Sequence, residues 1–281
     1  MKYFIILTIA ITSIFLSGCV KNNPDPSWLE IKEFTLLANP EVTEGNIDVH
    51  GFKFGWVYVN DKFIGVFELP CKVPVLVTGQ SKIQVFPTIE NNGMGGVKKV
   101  YPFMDYYETT VELKANEVAT VEPTTKYKTG TTFWIEDFEG GNIKLSPGSN
   151  SNTNILVETE PTNRVGKVFL NGSASLWTAY TDEAQPFNFP IGSQIYLELE
   201  CKNEAKLKTT FIYAKTDGTI TQQYNISVTT ATEGWKKVYI ELTELIIKSG
   251  GYAFWVGFEY ELPSDQSEST LLIDNIKVIY R

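Results

Sequence analysis

Alternation between apolar and polar residues is the feature that most constrains the fold of this 281-residue chain. The alternation has a period of two, and turn-forming residues interrupt it about every 8–12 residues, which is typical of β-sandwiches rather than helical folds. A clear instance is WVYV (residues 56–59) and FIGVF (residues 63–67), which flank a turn at Asn60 and Asp61. Only LTELIIKS (residues 242–249) has the spacing of a helix. The sequence therefore predicts an all-β protein.

The strand pattern divides into two units. Residues 28–127 contain about seven strand candidates, enough for one β-sandwich. A run rich in small and turn-forming residues, EPTT and then KTG up to residue 130, follows them and predicts a domain boundary. Residues 131–281 contain about ten further strand candidates. We therefore predict two β-sandwich domains, 28–127 and 131–281.

The first 27 residues belong to neither sandwich. Lys2 precedes an apolar segment over residues 3–16, which is shorter than the roughly 20 apolar residues that a spanning helix needs. A charged start, a short apolar segment and the small residues Ser17 and Gly18 are typical of a cleaved export signal. A buried amino-terminal helix is the alternative.

The sequence LSGC (residues 16–19) resembles the lipobox of bacterial lipoproteins. The resemblance implies that residues 1–18 are a signal peptide, that Cys19 carries a covalent lipid, and that residues 19–27 form a lipidated tether, which Pro24 and Pro26 would keep extended. It also implies a lipid anchor in the outer membrane, since Val20 rather than an acidic residue follows the cysteine. The polar residues after Val20 favour the cell surface over the periplasmic face.

Charge and histidine content exclude several classes of function. The formal net charge is −9, so we expect no nucleic-acid partner and membrane contact only through the lipid. His50 is the only histidine, which excludes a His-rich zinc site, and no Gly-x-Ser-x-Gly hydrolase turn occurs. Cys71 and Cys201 fall in different predicted domains, so we expect two buried free thiols rather than a disulfide.

Both predicted domains resemble known modules. In the first, the turn at VND, the later LP and Gly79 before a closing strand resemble the small PEGA-like or Ig-like β-sandwiches of bacterial surface proteins. In the second, FWIEDFEGG (residues 133–141) and STLLIDNIKVIYR (residues 269–281) resemble the opening and closing strands of the galactose-binding-like jelly roll used by many carbohydrate-binding modules. This resemblance implies a jelly roll for residues 131–281.

The jelly-roll resemblance also implies a structural calcium ion. Carried over to this sequence, its ligands would be Glu139 and Asp274, with Asp137 as a third. Calcium takes several hard oxygen ligands and tolerates irregular geometry, which suits these carboxylates. Acidic residues at strand ends also cap turns or stay solvated, so that alternative remains open.

Strand parity predicts an outward-facing aromatic set on the second domain. Alternate side chains lie on opposite faces of a strand, so burial of residues such as Leu197 and Val238 turns their neighbours outward. The argument, applied strand by strand, gives four residues: Trp177, Tyr196, Tyr239 and Trp255. Such a set suits a sugar ring, a protein interface or packing beneath a loop.

Three functions follow from these features. The first is a non-catalytic outer-membrane lipoprotein that serves as an accessory or docking subunit of a cell-envelope protein complex. The alternative is a surface lipoprotein that binds polysaccharide through the jelly roll. The third is a glycoside hydrolase, since carboxylates are plentiful, although the Glu-x-Asp-x-x-Glu motif of β-sandwich glucan hydrolases is absent from the sequence.

Overall fold

The computed structural model describes residues 25–40, 51–182 and 184–281, and these ranges fold almost entirely as β-strands. Cys19, the lipobox and His50 lie outside the described residues. The strands of the first domain are β1 (Ser27–Ile31), β2 (Thr35–Leu36), β3 (Phe54–Val59), β4 (Lys62–Glu68), β5 (Cys71–Val75), β6 (Gly79–Glu90), β7 (Lys98–Val100), β8 (Tyr107–Leu113), β9 (Val118–Val121) and β10 (Thr124–Thr125).

Two main sheets enclose the core of the first domain. One has the order β5-β1-β9, and the other has the order β4-β3-β6, with β7 and β8 pairing different parts of the long β6. A short parallel pair, β10-β2, lies beside them. Alternate residues of these strands, such as Leu29, Val57 and Ile83, are fully buried, which is the period-two burial expected of a sandwich.

The hairpin of β3 and β4 follows directly from its turn residues. Asn60 and Asp61 have φ of 49° and 62°, a left-handed conformation that Asn and Asp adopt more readily than most residues. The Asn60 side chain also accepts a hydrogen bond from the Lys82 backbone N–H at 2.8 Å, which ties the turn to β6. The hairpin predicted from the sequence is confirmed.

The second domain is a sandwich of two antiparallel sheets. Its strands are β11 (Thr132–Glu136), β12 (Leu145–Pro147), β13 (Leu156–Thr159), β14 (Arg164–Asn171), β15 (Leu176–Thr181), β16 (Ile195–Asn203), β17 (Leu207–Ala214), β18 (Ile220–Thr229), β19 (Lys236–Glu241), β20 (Ala253–Glu261) and β21 (Glu268–Tyr280), with the helix α1 (Thr243–Ser249) between β19 and β20. The front sheet has the order β12-β15-β20-β17-β18. The back sheet has the order β13-β14-β21-β16-β19, and β11 also pairs with β21.

The predicted all-β fold of β-sandwiches is confirmed. The helix-like spacing near residue 242 corresponds to α1, which ends at Gly250 in a left-handed conformation (φ 63°). Among the described residues, no helix is both long enough and apolar enough to cross a membrane.

The buried core of the first domain extends onto the second domain. Ile135, Tyr196, Tyr239 and Ile279 of the back sheet belong to the same buried cluster as Leu29 and the other core residues of the first domain. A second cluster, between the front and back sheets, fills the second sandwich. The first domain therefore packs on the outer face of the back sheet, and the outer face of the front sheet is the other broad face of this sandwich.

Candidate functional site

Trp177 lies in the core of the second sandwich. Its side chain is 1% exposed and its ring stacks on Phe258, with the ring centroids 6.4 Å apart. Ala179 is buried with it, whereas Leu176 and Tyr180, on the opposite face of β15, are half-buried. The expectation that Trp177 faces solvent is therefore wrong. Both faces of β15 carry apolar residues, so strand parity alone does not decide which set is buried.

Tyr196 and Tyr239 point away from the core of their own sandwich, as parity predicts, but the first domain covers them. Tyr196 is 1% exposed and packs edge to face against Tyr101 and Phe103, at centroid distances of 5.6 and 5.8 Å. Tyr239 stacks on Phe52 at 6.2 Å. The expectation that these two tyrosines face solvent is wrong, because the rings of the first domain fill the space above them.

Polar groups at this contact between the domains also pair with one another. The Tyr101 hydroxyl donates to the buried carboxylate of Glu198, and Lys237 Nζ lies 3.1 Å from the other oxygen of the same carboxylate. The Gly51 backbone N–H donates to the Tyr239 hydroxyl at 3.0 Å. Burial, and then the negative charge of Glu198, raise the pKa of Tyr101 and Tyr239 well above the usual value, so both hydroxyls stay protonated.

The glycine-rich loop between β6 and β7 closes the edge of the same contact. Glu241 of β19 pairs with Lys99 at 2.6 Å and accepts a hydrogen bond from the Asn91 side chain at 3.0 Å. Its backbone N–H donates to the Asn92 side chain at 2.8 Å. The part of this face that β16 and β19 form is therefore in the interior of the molecule and is closed to external ligands.

Trp255 lies half-buried on the outer face of the front sheet, which the first domain leaves open. The strand register sets Trp255 opposite Ile212 and Ile212 opposite Gln222, so three adjacent strands present these side chains in one row. The row lines a groove of about 460 Å³. The other residues lining the groove are Pro147, Ser149, Tyr180 and Ile220.

Gly257 makes room for one wall of the groove. A β-carbon at this position would lie 2.6 Å from Cδ1 of Tyr180 and closer still to the Thr210 hydroxyl, so the ring of Tyr180 rests where a side chain would otherwise be. The hydroxyls of Thr178 and Thr210, beside this ring, are buried and have no hydrogen-bond partner in the described part of the chain. The wall of the groove at Tyr180 is therefore closely packed.

Charged residues continue the same face of the front sheet beyond Tyr180. Lys208 Nζ lies 2.5 Å from Glu259 and 3.3 Å from Glu261. The hydrogen bond to Glu259 raises the pKa of Lys208, so the ammonium group persists at neutral pH. The outer face thus carries the aromatic and aliphatic groove at one end and the ion-paired Lys208, Glu259 and Glu261 at the other.

The residues of the expected calcium site lie away from the groove, Asp274 on β21 of the back sheet and Asp137 and Glu139 in the turn after β11. Asp274 is buried and accepts hydrogen bonds from the Asn163 amide at 2.8 Å and from the Asn275 backbone N–H at 2.7 Å. Burial raises the pKa of Asp274 to about 7. Glu139 accepts the Arg164 backbone N–H at 2.7 Å.

These carboxylates already take part in hydrogen bonds within the protein. The Asp137 carboxylate accepts the Glu139 backbone N–H at 3.2 Å, and the Arg164 guanidinium donates to the carbonyl oxygens of Glu139 and Gly140. Within the described ranges, no three acidic, histidine or cysteine side chains converge closely enough to hold a metal ion. The calcium ion remains a prediction from the resemblance alone.

Sequence reasoning missed the buried carboxylate of Glu136. It accepts the backbone N–H groups of Phe138 (2.7 Å) and Lys144, and so holds the turn after β11, where Phe138 has a positive φ of 57°. The only signal in the sequence was an acidic residue at the end of an apolar strand. It also missed Tyr180 and Gln222; both alternating residue sets of β15 contain apolar side chains, so parity does not show that Tyr180 faces outward.

The solved structures similar to this chain include carbohydrate-binding modules. The family 11 module of a cellulosomal cellulase of Clostridium thermocellum is 14% identical, covers 54% of this chain and 95% of the module, and has a TM-score of 0.36. The xylan-binding domain of Paenibacillus barcinonensis is 15% identical, with 53% and 99% covered and a TM-score of 0.37. An exo-β-agarase is 11% identical, with 52% of this chain and 24% of the enzyme covered and a TM-score of 0.39. All three TM-scores are below 0.5, so no shared site is inferred.

No protein-family model matches the sequence, and no curated protein matches it significantly.

Proposed function

We propose that this protein binds polysaccharide, without catalysis, in the groove on the outer face of the front sheet. The observation that carries the proposal is the row formed by Trp255, Ile212 and Gln222, which places an aromatic ring, an aliphatic side chain and an amide side by side in one groove. A sugar ring has apolar C–H faces that pack on such a surface and hydroxyls that need hydrogen-bond partners.

The surroundings of the row supply those partners. Ser149 and Gln222 line the groove itself and carry hydrogen-bonding side chains. Pockets lined mainly by apolar side chains with a few polar groups are the usual form of small-ligand sites, and their volumes fall between about 300 and 1,000 Å³. The groove therefore has room for a short stretch of a glycan chain.

Pairing of the nearby carboxylates supports a role without catalysis. A glycosidase needs two carboxyl groups with different roles, one of them protonated near neutral pH. Glu259 and Glu261, at the acidic end of the same face, share one ion-pair partner, Lys208, and so have the same surroundings rather than two different ones. Their place in the proposed function is to accept hydrogen bonds from sugar hydroxyls.

The test is a binding measurement on the full chain with a glycan array, followed by titration calorimetry of the best glycan. Trp255→Ala should weaken binding by about tenfold or more, because it removes the stacking surface. Gln222→Ala should weaken it several-fold through loss of a hydrogen bond. Trp235→Ala, an exposed tryptophan outside the groove, is the matched control and should bind as the unsubstituted protein does. Absence of binding to every glycan, or equal affinity of the Trp255 variant, would refute the proposal.

Docking to another envelope protein is the second candidate function. Ile191, Ile247 and Tyr252 are exposed around a cavity of about 550 Å³ between residues 188–193 and α1, which is a cluster of apolar side chains typical of interaction surfaces. Purification of the native protein in mild detergent should then recover a stoichiometric membrane partner, and Ile247→Lys should abolish that recovery. Isolation as a lone monomer would argue against docking.

We further propose that the protein is held at the outer surface of the outer membrane by lipid on Cys19. The support is the LSGC sequence, which lies outside the described residues. Cys19→Ser should prevent incorporation of labelled palmitate and move the protein from the membrane to the soluble fraction. Protection of the native protein from added protease in intact cells would place it on the periplasmic face instead.

A further inference from the structure

Five aromatic side chains form a continuous strip on the outward face of the first domain. The aromatic strip, as we call it, crosses the sheet from β4 through β3 and β6 to the start of β8. Its members are Phe63, Trp56, Tyr58, Phe86 and Tyr106. Neighbouring strands lie about 4.8 Å apart, so the strip is about 14 Å long, which exceeds one sugar ring.

The rings contact one another along the whole strip. From Phe63 the centroid distances are 5.5 Å to Tyr58, 5.6 Å from Tyr58 to Phe86, and 4.6 Å from Phe86 to Tyr106. Phe63 is 51% exposed and Tyr106 is 47% exposed, so both ends of the strip are open to solvent. Trp56 packs on Phe63 at 5.0 Å, and its buried indole N–H has no hydrogen-bond partner among the described residues.

A ladder of polar side chains follows the same strands beside the strip. Gln84 Nε2 donates to Glu108 at 2.7 Å and Gln80 Nε2 donates to Glu112 at 2.6 Å. Lys82 forms an ion pair with Asp61 at 2.5 Å. Because carboxylates outnumber the lysine in this ladder, the face disfavours an anionic ligand and offers acceptors to a ligand with many hydroxyl groups.

We propose that the aromatic strip is a second binding site, for an uncharged polysaccharide. Its aromatic rings would pack on successive sugar rings of one chain, and the Gln84–Glu108 and Gln80–Glu112 pairs would hydrogen-bond the hydroxyls along one edge. Because the strip is longer than one sugar ring, it favours binding of a polymer over binding of a single sugar. The proposal does not depend on the groove, because the two sites share no residue and lie on different sheets.

Affinity electrophoresis of the full chain tests the strip, with mixed-linkage β-glucan, galactomannan and xylan as uncharged probes and alginate as an anionic probe. The double variant Phe63→Ala/Tyr106→Ala should weaken retardation by at least one uncharged polymer about tenfold. Phe63→Gln and Tyr106→Gln, which replace each ring with a long polar side chain at an exposed position, serve as milder single variants. Trp235→Ala is the matched control, since Trp235 is an exposed aromatic residue of the second domain that lies outside both the strip and the groove.

The outcomes separate this proposal from the groove. Loss of binding in the strip variants, with Trp255→Ala unaffected, supports the strip and refutes the groove. Loss only in Trp255→Ala refutes the strip and supports the groove. Partial loss in each supports both. No retardation by any uncharged polymer, or retardation by alginate alone, overturns the strip proposal.

Discussion

Gly257 is the single residue on which the shape of the groove depends most directly. It occupies the middle of β20, where a glycine ordinarily weakens a strand, and the Tyr180 ring fills the space that its missing side chain leaves. Any larger residue must displace either that ring or Thr210.

We therefore expect Gly257→Ala to destabilise the protein by about 1–3 kcal/mol and to weaken glycan binding, because the added methyl group overpacks the wall of the groove. Gly172→Ala is the matched control, since a β-carbon there would meet nothing within 4 Å, and it should change stability by less than about 0.5 kcal/mol. Urea unfolding measures both. Equal unfolding midpoints for the two variants would contradict this role of Gly257.

Asp274 gives a prediction about pH. Burial raises its pKa to about 7 in the folded protein, well above the value for a free carboxyl group. The folded state therefore keeps a proton that the unfolded chain loses, so this residue favours folding below about pH 4, and the contribution disappears as the pH rises through 7. Asp274→Asn should remove that dependence and raise stability at pH 8 by on the order of 2 kcal/mol, measured by thermal unfolding in the presence of chelator.

The effect of added calcium is measured in the same thermal-unfolding experiment. If the ion predicted from the resemblance binds at Asp274, added calcium should raise the unfolding temperature of the unsubstituted protein at pH 8 and leave Asp274→Asn unchanged. Equal responses of the two proteins would place calcium binding elsewhere or exclude it.

At the scale of single elements, sequence reasoning succeeded where only one face of a strand is apolar. In β16, β19 and β20 the predicted core residues, such as Leu197, Val238 and Val256, are all buried. In β15 both alternating sets of residues contain apolar side chains. Trp177 rather than Tyr180 is buried because Trp177 stacks on Phe258 across the core. That partner is distant in sequence, so local periodicity does not contain the answer.

The burial of Trp177 leads to a direct prediction. Trp177→Ala should destabilise the protein by about 3–5 kcal/mol, because it leaves a cavity in the core of the second sandwich. The exposed Trp235 offers the comparison, and Trp235→Ala should have an effect of less than about 0.5 kcal/mol. A stable Trp177 variant with impaired glycan binding would instead restore Trp177 as a surface residue.

At the scale of the whole molecule, the contact between the two domains is what the sequence did not predict. Periodicity shows that the side chains of Tyr196 and Tyr239 point away from the core of their own sandwich, but it does not indicate which other element covers them. Their partners, Phe52 and Tyr101, lie more than ninety residues earlier in the chain. Pairings of this kind depend on the packing of whole domains and leave no local pattern.

The buried contact between the domains predicts cooperative unfolding. Tyr101→Ala should lower the stability of the whole protein by about 3–5 kcal/mol, through the cavity and the buried Glu198 carboxylate left without its hydroxyl partner. We expect one thermal transition in both the variant and the unsubstituted protein, measured by calorimetry and by tryptophan fluorescence together. Two separate transitions, with only one shifted, would show that the domains unfold independently.

The covered face of the back sheet has a practical consequence for anyone who divides this protein. A fragment restricted to residues 131–281 would bring Tyr196, Tyr239 and the Glu198 carboxylate into water, side by side with Lys237. That surface would resemble an aromatic sugar-binding surface and would favour self-association of the fragment. The fragment could then bind glycans through residues that are buried in the intact chain. Glycan binding by the fragment should therefore be interpreted only together with binding by the Trp255→Ala variant of the intact protein.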